Sequence, residues 1–266
     1  MGIVNVTPDS FSDGGLFLAA EAAVAQGELL ASQGAVLLDI GGESTRKNAT
    51  PVDAEEELQR VIPVIEWLRR TRAVISIDTM KPDVAEAAIQ AGAGVVNDIR
   101  GLQGDSGIAA IIARHRAGAI VMHNPAVLGS AEPLSGDPIA ICLAYFEKSI
   151  GIARAAGIPD DRIVLDPGFG FGKSPQQNLE LLARFSELGQ LGFPLLAGTS
   201  RKSFIGRITG RDASDRLVGT LATSVVAALA GAAIVRVHDV AEHMEALQVT
   251  AAIRAAASLP DARANA

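Results

Sequence analysis

Side chains that could do chemistry recur along this chain, each at or just beyond the end of a short apolar run. They combine carboxylates, amides, basic groups and imidazoles, namely Asn5, Asp39, Asp78, Asn97, His123, Asp166, the Ser200–Lys202 run, Arg236 and His238. Such runs are typical of buried parallel strands, whose carboxyl ends carry the active sites of α/β barrels. A hydrogen bond that closes a loop explains any one of these residues, but their number favours a common site.

Four basic or imidazole side chains favour an anionic ligand. Lys202, Arg236 and His238 follow the last two apolar runs, and Arg46 follows the second. Arg236 and His238 are two residues apart, so on a strand both point to the same side. Because the formal net charge is −7, this local positive charge favours a phosphorylated ligand. Solvated basic residues at a strand exit are the alternative.

Asp78, Asn97 and Asp166 form a second group, rich in hydrogen-bond acceptors, at the ends of the third, fourth and sixth runs. A buried carboxylate that accepts paired N–H bonds selects flat heterocycles rich in N–H donors, such as a pterin. A structural carboxylate satisfied by backbone amides is the alternative for any one of the three.

Two segments are rich in glycine, Asp13-Gly-Gly in the first loop and residues 166–173 after the sixth run. Neither has the spacing of a dinucleotide-binding or P-loop motif. The first suits a loop that folds over a ligand, and the second lets the backbone approach a planar ring with Phe171 as a wall. Generic glycine-rich turns are the alternative.

The elements that must position these side chains are eight apolar, often β-branched runs separated by longer helical patterns. The runs predict strands at residues 2–6, 36–40, 74–78, 95–98, 119–122, 163–166, 194–197 and 234–237. Eight strand–helix units in 266 residues predict an α/β fold, a (β/α)8 TIM barrel, with residues 1–266 as a single domain. Capping sequences predict helix starts at Thr50-Pro-Val-Asp and at Ser174-Pro-Gln-Gln.

Composition and charge restrict the class of protein. A net charge of −7 argues against a surface that coats nucleic acid or an anionic membrane. Cys142 is the only cysteine, which excludes an internal disulfide and favours the reducing cytoplasm, as does a start without a secretory signal pattern. The uncharged stretch at residues 217–235 approaches the length of a membrane span, but its polar residues and Gly231 favour a buried helix followed by a strand.

Several ordered motifs resemble those of bacterial dihydropteroate synthases, over almost the whole chain. They are Asn5-Val-Thr-Pro-Asp-Ser-Phe-Ser-Asp-Gly-Gly, Gly41-Gly-Glu-Ser-Thr-Arg, Asp78-Thr with Asn97-Asp, Asp166-Pro-Gly-Phe-Gly-Phe-Gly-Lys, Ser200-Arg-Lys-Ser-Phe-Ile-Gly and Arg236-Val-His-Asp. The resemblance implies condensation of 6-hydroxymethyl-7,8-dihydropterin pyrophosphate with para-aminobenzoate to 7,8-dihydropteroate. It also implies a cytoplasmic homodimer that assembles through outer helices, among which the apolar helix at residues 217–230 is our candidate.

By this resemblance, Asn5 binds Mg²⁺ through its amide oxygen, with pyrophosphate oxygens and water as the other ligands. The pyrophosphate is held by Thr45, Arg46, Arg236 and His238. The pterin is bound by Asp78, Asn97, Asp166 and Lys202, and it packs on Met122. The para-aminobenzoate pocket is bordered by Phe11, Phe171 and Ser203, and Asp13 organises the closed first loop. The residues that would act in catalysis are Asp13, Arg46, Lys202, Arg236 and His238.

The implied mechanism is dissociative. Mg²⁺ and the basic groups stabilise departing pyrophosphate, the methylene carbon of the dihydropterin gains cationic character, and the arylamine nitrogen attacks it. No nucleophilic side chain is needed, so positioning and electrostatics do most of the catalysis.

The chain departs from the family pattern in two places. Lys47 and Asn48 follow Arg46, where the family usually has Pro-Gly, which predicts a looser second loop and weaker binding of para-aminobenzoate and sulfonamides. The sequence also begins within the first strand, which predicts either an earlier start or a weakly anchored strand.

Two other functions compete. A corrinoid-linked methyltetrahydrofolate methyltransferase would share Asp78, Asn97 and Asp166 but would not need the pyrophosphate-binding group. A non-catalytic paralogue that binds a pterin or supports another folate enzyme is favoured only by the altered second loop.

Overall fold

The structure is a computed structural model that describes residues 1–6, 15–44, 51–104, 107–125 and 135–257. It contains the eight predicted strands, with bounds that differ from the prediction by at most two residues at an end. They are β1 (Gly2–Asn5), β2 (Leu37–Gly41), β3 (Val74–Asp78), β4 (Val95–Asp98), β5 (Gly118–Met122), β6 (Ile163–Asp166), β7 (Leu196–Ala197) and β8 (Ile234–Val235).

The strands close into a parallel barrel, and the chain has the predicted TIM-barrel fold. Pairing runs from β1 to β6 in chain order, and β7 pairs with β8. Single bridges between Leu165 and Leu195 and between Gly2 and Val237 join the two sets. The last two strands pair over only two residues each. Pro194, which precedes β7, has no N–H to donate and serves as the acceptor for the amide of Leu165, at 2.9 Å.

Helices follow the strands, as the parallel pairing requires. They are α1 (Gly15–Ser32), α2 (Ala54–Leu68), α3 (Pro82–Ala91), α4 (Gly107–His115), α5 (Pro138–Ala156), α6 (Pro175–Ala183), α7 (Ser203–Thr209), α8 (Leu217–Leu229) and α9 (Val240–Ala257). Among the described residues, no helix is long and apolar enough to span a membrane.

Capping decides where two of the helices begin. Ser174 caps α6 in a reciprocal capping box with Gln177, as predicted. The predicted start of α2 at Thr50 is wrong: its cap is Asp53, whose carboxylate accepts the amide hydrogen of Glu56 at 2.8 Å. Pro51 and Val52 precede the helix because the amide of Val52 donates to Glu43 instead.

Alternation along the strands sorts side chains between the barrel centre and the helices. Val4, Ile40, Ile77 and Val121 belong to the main core between strands and helices. The opposite parity carries the polar residues at the carboxyl ends. In register, Asn5 pairs with Gly41, Gly41 with Asp78, and Asp78 with Asn97. The predicted polar residues of these strands therefore lie in one row, and Gly41, which has no side chain, leaves space within that row.

Candidate active site

Asp39, on β2, is the centre of a buried hydrogen-bond network. Its side chain is fully buried and accepts from Ser76 Oγ at 2.6 Å, Asn97 Nδ2 at 3.0 Å and Arg236 Nε at 2.6 Å. A buried carboxylate needs such partners, since an unpaired charge in the interior is costly. Asp39 therefore fixes side chains of β3 and β4 and that of Arg236, the residue after β8.

Arg236 bridges two carboxylates inside the barrel. Besides its bond to Asp39, its Nη2 donates to Asp78 Oδ2 at 3.0 Å. This places the guanidinium beside the acceptor-rich group and not only at the barrel mouth, where pyrophosphate binding was predicted for it. That role stays a prediction.

The acceptor group has unused hydrogen-bonding capacity. Burial, and next the charge of Asp39, raise the pKa of Asp78 to about 7, while Arg236 opposes this rise. Asn97 Oδ1 is buried and has no hydrogen-bond partner within the described part of the chain. A buried acceptor without a partner costs roughly 1–3 kcal/mol, which an N–H of a ligand would offset.

The two carboxylate oxygens of Asp166, at the end of β6, have different surroundings: one accepts a backbone hydrogen bond and the other faces a glycine. Its Oδ1 accepts the amide hydrogen of Gly168 at 2.8 Å, and burial raises its pKa. On the other side Gly198 has no side chain, and a Cβ there would lie 3.8 Å from Oδ2. Met122 pairs in register with Asp166 and is buried. The predicted pterin ligands of β3, β4 and β6 thus line the same barrel end.

Lys202 lies against the glycine-rich loop that follows β6. Its Nζ is 4.1 Å from the centre of the Phe171 ring, a cation–π contact. Burial, and next the positive charge of Arg236, lower the pKa of Lys202 to about 8. Ser203, the first residue of α7, is exposed next to it.

His238 is held by Ser200. Ser200 Oγ accepts the backbone amide hydrogen of His238 at 3.2 Å and lies 2.9 Å from its Nδ1. We infer that Ser200 donates its hydroxyl proton to Nδ1, so the ring carries its own proton on Nε2. Burial, and next the charge of Arg201, lower the pKa of His238 to about 4, which keeps the ring neutral at pH 7.

Arg201 adopts a strained backbone conformation between Ser200 and Lys202. Its φ is 57°, in the left-handed region, and its guanidinium pairs with both carboxylate oxygens of Asp239. Asn5, Arg201 and His238 together line a cavity of about 380 Å³. The predicted metal ligand and the imidazole predicted to bind pyrophosphate therefore share one space.

A single amide oxygen from Asn5 fits the small number of protein ligands that Mg²⁺ usually has at a phosphate-binding site. Its side chain is exposed at the end of β1, and it supplies an amide oxygen. Within the described residues, no group of three or more His, Cys, Asp or Glu side chains could hold a metal. In general, Mg²⁺ keeps several waters and takes further ligands from phosphate oxygens.

Four predicted site residues lie outside the described residues, namely Phe11, Asp13, Thr45 and Arg46. Lys47 and Asn48 also lie outside them. The roles predicted for these residues stay predictions.

Several residues that the structure brings into the site had no assigned role in the analysis of the sequence. Asp39 and Ser200 were recognised as polar strand-end residues, but their partners are 37 or more positions away in the sequence. Strand parity could have signalled Asp39, since it lies two residues before Gly41 and so faces the same side. Arg201, within the Ser200–Lys202 run, and Lys173, at the end of the glycine-rich segment, were part of noted motifs, but no pattern indicated their partners.

Buried acceptors and basic groups at the carboxyl ends of a closed parallel barrel define the class of the protein as a TIM-barrel enzyme with a polar, anionic ligand. Comparison with known proteins identifies the family. Residues 1–238 match the family model described as pterin binding enzyme. Dihydropteroate synthase of Escherichia coli (strain K12) is 46% identical over 256 residues, which cover 95% of this chain and 90% of the relative.

Two solved structures of Xanthomonas albilineans dihydropteroate synthase are similar in sequence and in fold. The one with 4-aminobenzoic acid has a TM-score of 0.91 and 48% identity, covering 98% of this chain and 93% of that chain. The one with 7,8-dihydropteroate has a TM-score of 0.88 and 46% identity, covering 98% of this chain and 94% of that chain. The chain belongs to the pterin-binding enzymes and, among them, to the dihydropteroate synthases, which confirms the resemblance read from its motifs.

Proposed function

We propose that this enzyme condenses 6-hydroxymethyl-7,8-dihydropterin pyrophosphate with para-aminobenzoate to give 7,8-dihydropteroate and pyrophosphate. The observation that carries the proposal is the buried Oδ1 of Asn97, which has no partner among the residues that the structure describes and lies beside Asp78 and near the cationic Arg236. These acceptors match the N–H donors of an aminopyrimidinone ring, and the neighbouring cavity at His238 suits its pyrophosphate.

The pterin lies among Asp78, Asn97, Asp166 and Lys202, with Met122 against its ring. Selectivity comes from the cost of leaving these buried acceptors unpaired, which a ring without matching donors cannot avoid. Arg236, held by Asp39 and Asp78, keeps the carboxylates from repelling each other before the pterin binds.

The pyrophosphate is held by His238 through Nε2–H and by the basic groups Arg46 and Arg236, with Thr45. A neutral imidazole donates one hydrogen bond without needing to gain a proton, so this contact is available across the physiological range. Asp13, in the first loop, organises that loop over the reacting centre.

Asn5 would hold Mg²⁺ in the cavity that it shares with His238. When bound, the ion supplies positive charge that stabilises the leaving pyrophosphate. The protein adds only one amide oxygen, so the affinity for the metal depends on the phosphate oxygens of the substrate.

The para-aminobenzoate pocket is bordered by Phe11, Phe171 and Ser203. The cation–π contact with Lys202 holds the Phe171 ring, and exposed Ser203 offers its hydroxyl at the pocket entrance.

Catalysis proceeds by departure of pyrophosphate before the arylamine attacks. The described site offers no activated nucleophile: Cys142 is buried, and burial raises the pKa of its thiol to about 11. The side chains therefore bind, orient and stabilise charge, and His238 and Lys202 donate to groups that become more negative.

We further propose that the chain, with residues 1–266 as one domain, acts in the cytoplasm as a homodimer. Val218, Val226 and Leu229 form an exposed apolar stripe on α8, and Val218 is 80% exposed. Val249 and Ile253 extend it on the adjacent α9. Exposed apolar side chains on two adjacent helices favour a subunit interface here. Light scattering at micromolar concentration should give the mass of two chains, and Val218→Glu should shift the mass to one.

Incorporation of labelled para-aminobenzoate tests the reaction. Purified enzyme should form dihydropteroate from both substrates with Mg²⁺ present and should lose this activity in excess chelator. Full activity with chelator would remove the metal from the proposal. Binding of a pterin without formation of product would favour the non-catalytic paralogue, and methyl transfer to a corrinoid would favour the methyltransferase.

A further inference from the structure

Lys173 ends the glycine-rich loop after β6, and its ammonium group is enclosed by that loop. Its Nζ donates to the backbone carbonyl oxygens of Gly168 at 3.0 Å, Phe171 at 3.2 Å and His123 at 3.4 Å. An ammonium group has three N–H donors, so this arrangement uses all of them on carbonyl oxygens. Two of these carbonyls belong to the loop itself, and the third belongs to the end of β5.

The backbone conformation of the loop brings these carbonyl oxygens close to a single ammonium group. Gly168, Gly170 and Gly172 have φ values of 66°, 82° and 59°, in the left-handed region that glycine adopts freely. Its amide groups are held from outside, because Gly168 donates to Asp166 and Gly170 donates to Asn178 Oδ1 at 2.7 Å. Lys173 thus binds carbonyl oxygens of a loop in which two amide groups are already hydrogen-bonded to Asp166 and Asn178.

Close packing leaves this loop little freedom to adjust. A Cβ built on Gly168 would lie 2.2 Å from the carbonyl oxygen of His123, so the backbone here touches β5 directly. Burial lowers the pKa of Lys173 to about 8, which agrees with an ammonium enclosed by protein. Loss of the three bonds would remove this donor from the carbonyls of Phe171 and His123 and would release the loop from the residue that follows β5, while the carbonyl of Gly168 would keep the amide of Phe171 as its donor.

We propose that Lys173 is a positioning residue that sets the Phe171 ring and thereby the shape of the arylamine pocket. All three N–H donors of Lys173 are used on backbone carbonyls, so it acts through the carbonyl of Phe171, whose ring lies under Nζ of Lys202. This inference rests on the proposed assignment of Phe171 to the para-aminobenzoate pocket. A lysine that only stabilises the fold is the competing explanation, and it would act on all ligands equally.

The test uses Lys173→Met, which keeps the length of the side chain without its donors, and Lys173→Gln, which keeps two. Lys148→Met, at an exposed lysine on α5, is the matched control. In steady-state assays Lys173→Met should raise the KM for para-aminobenzoate roughly tenfold, as expected for misplacement of a positioning group, and Lys173→Gln should raise it less. The affinity for a pterin fragment should change less than about twofold, since the groups that bind it stay in place.

A double-variant cycle shows whether Lys173 acts through Phe171. In a Phe171→Ala background, Lys173→Met should change the KM for para-aminobenzoate less than about twofold, because coupled residues are not additive. Hydrogen exchange of the unliganded protein should show faster exchange in residues 167–173 and unchanged exchange in β2 and β3.

Each failure has a separate meaning. Wild-type enzyme that forms no dihydropteroate would reject the proposed function, while the hydrogen-exchange comparison would still test the loop. Active wild-type enzyme whose KM for para-aminobenzoate is unaffected by Lys173→Met, additive effects in the cycle, or equal weakening of both ligands would overturn the positioning role. If neither variant folds, Lys173 is a stability residue and the proposal is wrong.

Discussion

At the scale of single residues, the contact between Ser200 and His238 shows how a hydroxyl can prepare an imidazole for an anion. Ser200 receives the backbone amide hydrogen of His238 and faces Nδ1 at 2.9 Å. The proton on Nε2 is then free for a phosphate oxygen, and the lowered pKa keeps the ring neutral.

Ser200→Ala should therefore weaken binding of pyrophosphate, because either ring nitrogen can then carry the proton and the ring is no longer oriented. The loss should be about 1 kcal/mol, or roughly fivefold, as for one hydrogen bond. The inhibition constant for pyrophosphate as a product inhibitor measures it, with Ser32→Ala, at an exposed serine of α1, as the control. A constant that stays within twofold of wild type would remove Ser200 from this role.

Lys202 gives the site a pH dependence on the alkaline side. Burial, and next Arg236, lower its pKa to about 8, so its positive charge is lost as the pH rises through that value. The kcat/KM for the pterin substrate should fall over this range, and Lys202→Arg should move the fall to higher pH, because arginine stays charged. A fall that stays at the same pH in Lys202→Arg would assign the titration to another group, such as Lys173.

At the scale of elements, a partly buried charge cluster joins the residues that follow β2 and β3 to α2. Lys81, the residue before α3, donates to Glu43 at 2.6 Å and also to Glu57, which is only 1% exposed. Glu43 in turn accepts the amide hydrogen of Val52 at 3.2 Å. Glu43 and Val52, the described residues nearest this cluster on either side of positions 45–50, are thereby joined to each other and to Lys81.

Lys81→Met should destabilise the fold by about 3 kcal/mol, because it leaves Glu57 buried without a counter-charge. Chemical denaturation of this variant and of Lys148→Met measures the difference in the free energy of unfolding. A loss below about 1 kcal/mol, the value typical of a surface pair, would show that the cluster is solvated.

The sequence predicted the elements well and the contacts between them poorly. Apolar runs and turn residues are local signals, so all eight strands were located within two residues at each end. Arg236, in contrast, meets Asp39 and Asp78 across 197 and 158 positions, and no local pattern records such a pair. For the same reason Asp39 was seen as a strand-end carboxylate without being placed at the centre of the network.

At the scale of the whole molecule, the distribution of positive and negative side chains matches the proposed chemistry. The chain carries a net charge of −7, yet Lys202, Arg201 and Arg236 gather at one barrel end. Buried carboxylates pair with part of this positive charge and hold it in place, so an anionic substrate meets a site that is already organised.

The central claim is that the acceptors at the carboxyl ends of β3, β4 and β6 bind the pterin ring, and calorimetry with a pterin fragment tests it most directly. Asp166→Asn removes a charged acceptor, so affinity should fall by about 2–4 kcal/mol, roughly 30-fold to 1,000-fold, relative to wild type. Asp161→Asn, at an exposed carboxylate before β6, should bind like wild type. Unchanged affinity in Asp166→Asn would contradict the assignment of the pterin site.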